Sequence, residues 1–152
     1  MRTLAVDLGT RRVGLALSDE GGRFATPLEV VEVTTPEQAT ERALQVIRRE
    51  GVERIVIGLP LNMDDSVGPA ARMTIDWGRQ LATRSGKPVL FLDERLSSFE
   101  AEQGLIERKR GGEKITRKRK KQQLDAIAAA GFLQAFLDGK LAPFELQKKK
   151  QD

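Results

Sequence analysis

The 152-residue sequence contains no cysteine, no histidine and no tyrosine, and these absences narrow its chemistry. Without cysteine there is no disulfide framework and no thiolate zinc site. Without histidine, catalytic triads built on an imidazole base and most zinc hydrolase sites are excluded. One tryptophan and six phenylalanines do not favour an aromatic platform that stacks RNA bases. If the protein is an enzyme, its chemistry must come from carboxylates, Lys, Arg, Ser, Thr or a bound metal.

Long apolar runs are absent as well. No segment approaches the about 20 apolar residues that span a membrane, and the N-terminal residues 1–7 reach an acidic residue too soon for the apolar region of a signal peptide. Apolar residues make up 39% and charged residues 32% of the chain, which is typical of globular proteins. We therefore expect a cytoplasmic protein without membrane contact, with one domain over residues 1–138 and a basic C-terminal tail over 139–152.

The net charge of +4 conceals a strongly basic segment. Residues 108–121 hold nine of the 26 basic residues and one of the 22 acidic residues, so this segment carries +8 and the rest of the chain −4. Local positive charge indicates contact with a polyanion, whereas a solvated charged face is the alternative. The Gly111-Gly112 pair inside the run favours a flexible loop and hence nucleic acid. The basic residues that we predict to bind nucleic acid are Arg11, Arg12, Arg95, Arg108, Lys109, Arg110, Lys114, Arg117, Lys118 and Arg119.

The order of apolar segments and turn residues predicts an α/β fold. Strands are predicted over 4–8, 13–17, 28–33, 54–58 and 88–92, and helices over 36–50, 70–84, 97–108 and 117–137. Three successive strands followed by βα alternation imply a five-stranded mixed sheet, a three-strand antiparallel meander plus βαβ units, with helices on both faces. Met73, Trp77 and Leu81 share one helix face, and Trp77 is expected in the core.

Acidic residues end two of the predicted strands. Asp7 closes the apolar run 4–6, and Asp93 and Glu94 follow the apolar run 89–92. Sites in open α/β sheets gather beyond the carboxyl ends of the strands, so the two clusters support each other. A turn or helix-capping role is the alternative for each of them.

Asp125 lies inside a predicted helix, on a face with three apolar neighbours: Ala129, Phe132 and Phe136. A carboxylate that faces a core is costly unless a cation or a metal lies nearby. The structural alternative to a metal is a salt bridge to one of three arginines: Arg11, Arg12 or Arg95. Converging carboxylates in a chain without histidine suit Mg²⁺ or Mn²⁺, which prefer oxygen ligands. Two such ions can activate a water and stabilise the leaving oxygen of a phosphodiester.

Four motifs resemble, in family order, those of the YqgF family, also called RuvX. They are Val6–Gly9 with Arg12–Ala16, then Gly58–Asn62, then Asp93–Leu96, and finally Asp125–Ala129. The resemblance extends from about Arg2 to Leu137. It implies a ribonuclease-H-like fold related to the Holliday-junction resolvase RuvC, and a metal-dependent nuclease that matures the 5′ end of pre-16S ribosomal RNA. Carried over by position, the catalytic and metal-binding acids of the family fall on Asp7, Glu94 and Asp125, with Asp93 as a further candidate ligand.

Other functions remain open on the sequence alone. Holliday-junction cleavage would need a dimer that presents two sites to a four-way junction. The sequence does not decide between this activity and processing of precursor ribosomal RNA, which the family resemblance favours, or between a monomer and a homodimer. The segment Asp7–Thr10 also resembles the phosphate loop of sugar kinases and actin, but those ATP-binding proteins close two such domains around the nucleotide, and 152 residues supply one. A non-catalytic RNA-binding module is the third alternative.

Overall fold

The structure, a computed structural model, describes residues 1–96 and 117–145, and side chains over 1–95 and 124–145. The predicted helix over 97–108 lies outside the described residues. So do four of the predicted nucleic-acid-binding residues: Arg108, Lys109, Arg110 and Lys114. Three others belong to a described helix, but their side chains are not among those described: Arg117, Lys118 and Arg119.

Five strands form one mixed sheet in the order β3-β2-β1-β4-β5. Their bounds are β1 Thr3–Leu8, β2 Arg12–Ser18, β3 Ala25–Glu32, β4 Arg54–Leu59 and β5 Val89–Asp93. The first three strands pair antiparallel, whereas β4 pairs parallel to both β1 and β5. The predicted meander and βαβ units are therefore confirmed. Strand β1 is central, and the three parallel strands end at the same edge of the sheet.

The described helices are α1 (Pro36–Glu50), α2 (Pro69–Ser85) and α3 (Arg117–Leu137). Helix α1 begins where the sequence predicts it. The Thr35 side chain accepts a hydrogen bond from the backbone N–H of Gln38, and Pro36 occupies the first turn, where its missing N–H is not needed. The helix ends at Gly51, whose φ of 63° is the left-handed conformation that glycine adopts without strain.

Side-chain alternation along the strands divides the core into two layers. Leu4 and Val6 of β1 face α1 and α2, whereas Ala5 lies in the layer beneath α3 with Phe132 and Leu133. Helices thus cover both faces of the sheet, as predicted. The same alternation of side chains decides which face of the sheet each acidic residue occupies.

Trp77 is buried in the layer beneath α1 and α2, where its indole N–H donates to the carbonyl of Pro36 at 3.2 Å. Leu81 is buried on the same helix face, but Met73 is 56% exposed. Ala71 and Thr74 of the first turns are buried as well, whereas Met73 lines an open cavity beside them, so the shared helix face does not bury it.

The chain after α3 returns to the sheet. Leu141 and Phe144 pack against the core layers, and the backbone N–H of Phe144 donates to the carbonyl of Phe91 at 2.6 Å. The first residues of the predicted tail therefore contact the folded domain, while residues 146–152 lie outside the described part. Among the described residues, none of the helices has the length and apolar character required to cross a membrane.

Candidate active site

Three acidic residues from distant parts of the chain meet at the carboxyl edge of the parallel strands. Asp7 faces α3, because it lies two residues after Ala5 on the same strand. Glu94 begins a 3₁₀ turn, Glu94–Leu96, directly after β5. Asp125 lies on α3, which packs over this face of the sheet. The site is therefore assembled by the sheet topology and by one helix.

Two glycines allow these groups to come close together. Gly14 pairs with Asp7 across the β1–β2 ladder, and a Cβ atom there would overlap the carbonyl oxygen of Asp125. At Gly58, a Cβ atom would lie 2.7 Å from Oε2 of Glu94 and 2.9 Å from the Phe132 ring. Neither glycine is predicted from the sequence to have this role. A glycine inside an apolar strand pattern was the available signal, since it often marks a close approach.

Burial and mutual repulsion perturb the protonation of the site. Burial, followed by the charges of Glu94 and Asp125 and a hydrogen bond with Glu94, raises the pKa of Asp7 from 3.8 to about 8. Burial also raises the pKa of Glu94, against which the hydrogen bond with Asp7 acts. The raised pKa favours the protonated form of Asp7 at neutral pH, in which its carboxyl is hydrogen-bonded to Glu94.

Asp125 is held by an arginine. Nε of Arg12 donates to its Oδ2 at 2.9 Å, and the two side chains are 37% and 27% exposed. Of the three arginines that the sequence offered as partners for Asp125, Arg12 is the one that pairs with it. Arg12 precedes Gly14 by two residues on β2, so it projects toward α3 from the point where helix and strand are closest.

Asp93 and Arg95 form a separate network. Because Asp93 pairs with Leu59 in the layer beneath α1 and α2, it faces away from Asp7. Its carboxylate accepts from Nε and Nη2 of Arg95 at 2.9 and 2.6 Å, and these contacts lower the pKa of Asp93. Arg95 also contacts Asp65 and the carbonyl of Asn62, and so ties the loop between β4 and α2 to the end of β5. Asp93 therefore does not share the face of Asp7, although its charge raises the pKa of Glu94, the next residue in the chain. The guanidinium of Arg95 is already paired.

A cavity of about 350 Å³ opens over this edge. Its lining residues are Asp7, Gly9, Thr10, Arg11, Arg12 and Asp125. Within residues 1–96 and 117–145, no three carboxylates already form a cage around a metal position. The carboxylates do not surround a common point because Asp7 is hydrogen-bonded to Glu94, whereas Asp125 forms an ion pair with Arg12.

Solved structures with this architecture include resolvases. The chain matches Thermus thermophilus RuvC in complex with a Holliday junction with a TM-score of 0.58 and 18% identity, over 95% of this chain and 99% of that one. It matches the fowlpox virus resolvase with a TM-score of 0.54 and 10% identity, over 91% and 98%. At these identities the likeness shows the fold, which is ribonuclease-H-like, as predicted.

Sequence relatives identify the family. The protein-family model described as "RuvX: Holliday junction resolvase" matches residues 1–139 of this chain. Proteins named "Putative pre-16S rRNA nuclease" are 45% identical in Anaeromyxobacter sp. (strain K), over 91% of this chain and 97% of that protein, and 40% identical in Acidiphilium cryptum (strain JF-5), over 90% and 84%. The protein is a nuclease, a hydrolase of phosphodiester bonds. The chain belongs to the RuvX family.

Proposed function

We propose that this nuclease processes the 5′ end of precursor 16S ribosomal RNA and that Asp7, Glu94 and Asp125 form its catalytic centre. The observation that carries the assignment is the convergence of these three acids at one sheet edge, where burial and repulsion raise the pKa of Asp7 to about 8. Perturbed carboxylates beside a cavity are typical of functional sites. The names of the relatives supply the RNA substrate.

The same three residues supply the type of ligand that a Mg²⁺ or Mn²⁺ ion needs, although their side chains would have to turn toward one another to hold it. They offer only oxygen donors, which both ions prefer, and a cation would offset the burial and the repulsion that raise the pKa of Asp7. When bound, such an ion lowers the pKa of a water and stabilises the leaving oxygen of the phosphodiester. For the residues to bind it, Asp7 must release its proton and Asp125 must exchange Arg12 for the ion.

Among the described residues that line the cavity beside this centre, the basic ones are Arg11 and Arg12. Both line the cavity that contains Asp7 and Asp125. A guanidinium can donate two parallel hydrogen bonds to a phosphate. We assign these two arginines to the scissile phosphate, with Arg12 moving from Asp125 to the substrate. Arg95 has a structural role in this scheme, because Asp93 and Asp65 already hold it.

Branched DNA is the second candidate substrate, because the family description names a Holliday junction resolvase. A resolvase must present two sites to the four-way junction, so this function would require a homodimer. A monomer that cleaves only one strand is consistent with RNA processing.

The experiment that tests the substrate compares two labelled molecules under the same conditions. One is precursor 16S RNA with its 5′ extension, and the other is a synthetic four-way DNA junction, each incubated with Mg²⁺ or Mn²⁺. We expect the RNA to be cut at least about tenfold faster than the junction. Faster cleavage of the junction by a dimeric species would transfer the assignment to branched DNA. Binding of the RNA without cleavage in either metal would favour a non-catalytic module.

A further inference from the structure

A second cavity, of about 580 Å³, lies at the same sheet edge but on the opposite face from the acids. It is bounded by the loop after β1, by the start of α1 and by the first turns of α2. Its apolar lining includes Leu8, Val33, Pro36, Pro60, Met73 and Trp77. Its volume falls within the range of about 300–1,000 Å³ that is usual for small-molecule sites. Met73 leaves more than half of its surface exposed at the mouth.

Most polar groups at the base of this cavity are already paired. The indole N–H of Trp77 donates to the carbonyl of Pro36 at 3.2 Å. The hydroxyl of Thr74 donates to the carbonyl of Ala70 at 3.1 Å, and that of Thr35 accepts from a backbone N–H of α1. The base therefore presents an apolar surface, which favours a flat apolar group over a charged one.

The two cavities border the same loop after β1, because Gly9 and Thr10 line both. Asp7 and Leu8 are successive residues of one strand, so their side chains lie on opposite faces. Stacked sheets pack about 10 Å apart, so a layer of side chains is about 5 Å deep, and groups at the side-chain ends on opposite faces of one sheet are about 10 Å apart. About three stacked nucleotides span that distance at about 3.4 Å each, and fewer span it if the strand is extended.

The described residues that line the two cavities differ in charge. Arg11 and Arg12 line the acidic cavity, whereas no Lys or Arg is among the described residues that line the apolar one. The described lining of the apolar cavity therefore favours an uncharged group over a phosphate. Asp76 and Gln80 lie at its exposed side, where a carboxylate accepts hydrogen bonds and an amide both accepts and donates them. Such groups can bind the edge of a base whose face rests on the apolar surface.

We propose that the cavity between α1 and α2 binds one unstacked nucleobase of the substrate strand, within about three nucleotides of the scissile phosphate. This inference rests on the proposed function, since it assumes that the strand crosses the acidic edge. The proposal requires a binding site for one base only, not an aromatic platform that stacks several bases. The base would rest against Pro36, Met73 and Trp77, while its phosphates continue toward Arg11 and Arg12.

Trp77 is the only tryptophan of the chain and reports directly on this cavity. We would titrate the full-length protein in Ca²⁺ with a 12-residue oligoadenylate and with an abasic ribose-phosphate chain of the same length. The oligoadenylate is expected to change the Trp77 emission with the same midpoint as its binding measured by anisotropy. The abasic chain is expected to bind about five- to tenfold more weakly, because it lacks base stacking, and to leave the emission unchanged.

A matched pair of variants tests the location. Ala70 is exposed and lines the cavity, so Ala70→Leu fills the cavity without altering the core, whereas Ala142→Leu makes the same change at an exposed site that does not line it. Ala70→Leu should lower the affinity for oligoadenylate to that for the abasic chain, and Ala142→Leu should leave both affinities unchanged. The wild-type emission titration decides the matter if Ala70→Leu does not fold.

Three results would overturn the base site. They are oligoadenylate binding without a change in Trp77 emission, equal binding by both chains, and an emission change that depends only on protein concentration. The last would assign the cavity to a second copy of the protein. Because the titration is scored without cleavage, its failure leaves the nuclease assignment intact. Absence of cleavage in any metal would in turn refute the proposed function without changing the emission result.

Discussion

Replacing Asp7 by Asn is expected to stabilise the metal-free protein at neutral pH but not at low pH. The carboxyl of Asp7 has an ordinary pKa of 3.8 and a pKa of about 8 in the folded protein, because it is buried beside Glu94 and Asp125. Between these two values the folded state holds a proton that the unfolded state has released. The free energy of unfolding therefore falls as the pH rises through this window, by about 1.4 kcal/mol per pH unit from this group.

The magnitude follows from the width of the window. From pH 5 to pH 7 the wild type should lose about 3 kcal/mol through Asp7. Asn has no proton to release, and its amide can still donate to Glu94. The difference in unfolding free energy between Asp7→Asn and the wild type should therefore grow by about that amount over these two units, and should level off near pH 8.

Urea unfolding in EDTA at several pH values measures this difference. Asp19→Asn is the control, since Asp19 lies in the turn after β2, where hydrogen bonds from the backbone N–H groups of Phe24 and Arg23 lower its pKa. Any stabilisation from this lowered pKa is complete above the ordinary pKa of 3.8, so Asp19→Asn should differ from the wild type by a constant amount between pH 5 and pH 8. A constant difference for Asp7→Asn as well, or a destabilisation of a few kcal/mol at pH 7, would refute the account and make Asp7 a structural residue.

Three further predictions concern the metal, the packing and the basic segment. Mg²⁺ at ten times its Kd should add about 1.4 kcal/mol to the free energy of unfolding of the wild type and raise its Tm by about 3–6 °C. The Tm of Asp7→Asn should rise much less. Equal shifts of both proteins would contradict metal binding at Asp7. Gly58→Ala should lower the free energy of unfolding by about 1–3 kcal/mol, because its Cβ atom would press on Phe132, whereas Gly21→Ala meets only an ordinary contact of 3.4 Å and should be neutral. Changing residues 117–119 to Gln should flatten the slope of log affinity against log salt by about 0.7 to 0.9 per lost phosphate contact; an unchanged slope would mean a solvated face.

Much of this fold follows from local patterns in the sequence. The apolar runs 4–8 and 54–58 become the paired central strands, and Thr35 and Pro36 begin α1 as expected. The sequence also places acidic residues at the ends of two strands, at Asp7 and at Asp93 and Glu94. Parallel strands bring those ends to one edge, so the approach of Asp7 to Glu94 is a consequence of topology.

Other features depend on geometry that one sequence does not contain. Whether Asp93 or Glu94 joins the acidic site depends on where β5 ends. Asp93 is the last residue of the strand and keeps its alternating side-chain direction, whereas Glu94 begins the next turn. The partner of Asp125 depends on how closely α3 approaches β2, which Gly14 permits. The exposure of Met73 depends on where α2 extends beyond the core. Each of these is a tertiary relation between segments far apart in the chain.

Single-turnover cleavage of precursor 16S RNA as a function of Mg²⁺ concentration tests the central claim most directly. The account predicts a saturable dependence on the metal for the wild type, and a rate at least about 100-fold lower for folded Asp7→Asn, because even residues that only support metal ligands are worth about 10- to 100-fold. Glu20→Gln, which removes an exposed carboxylate from the turn after β2, should cleave at the wild-type rate. Cleavage that is independent of the metal, or an Asp7→Asn protein that cleaves as fast as the wild type, would contradict it.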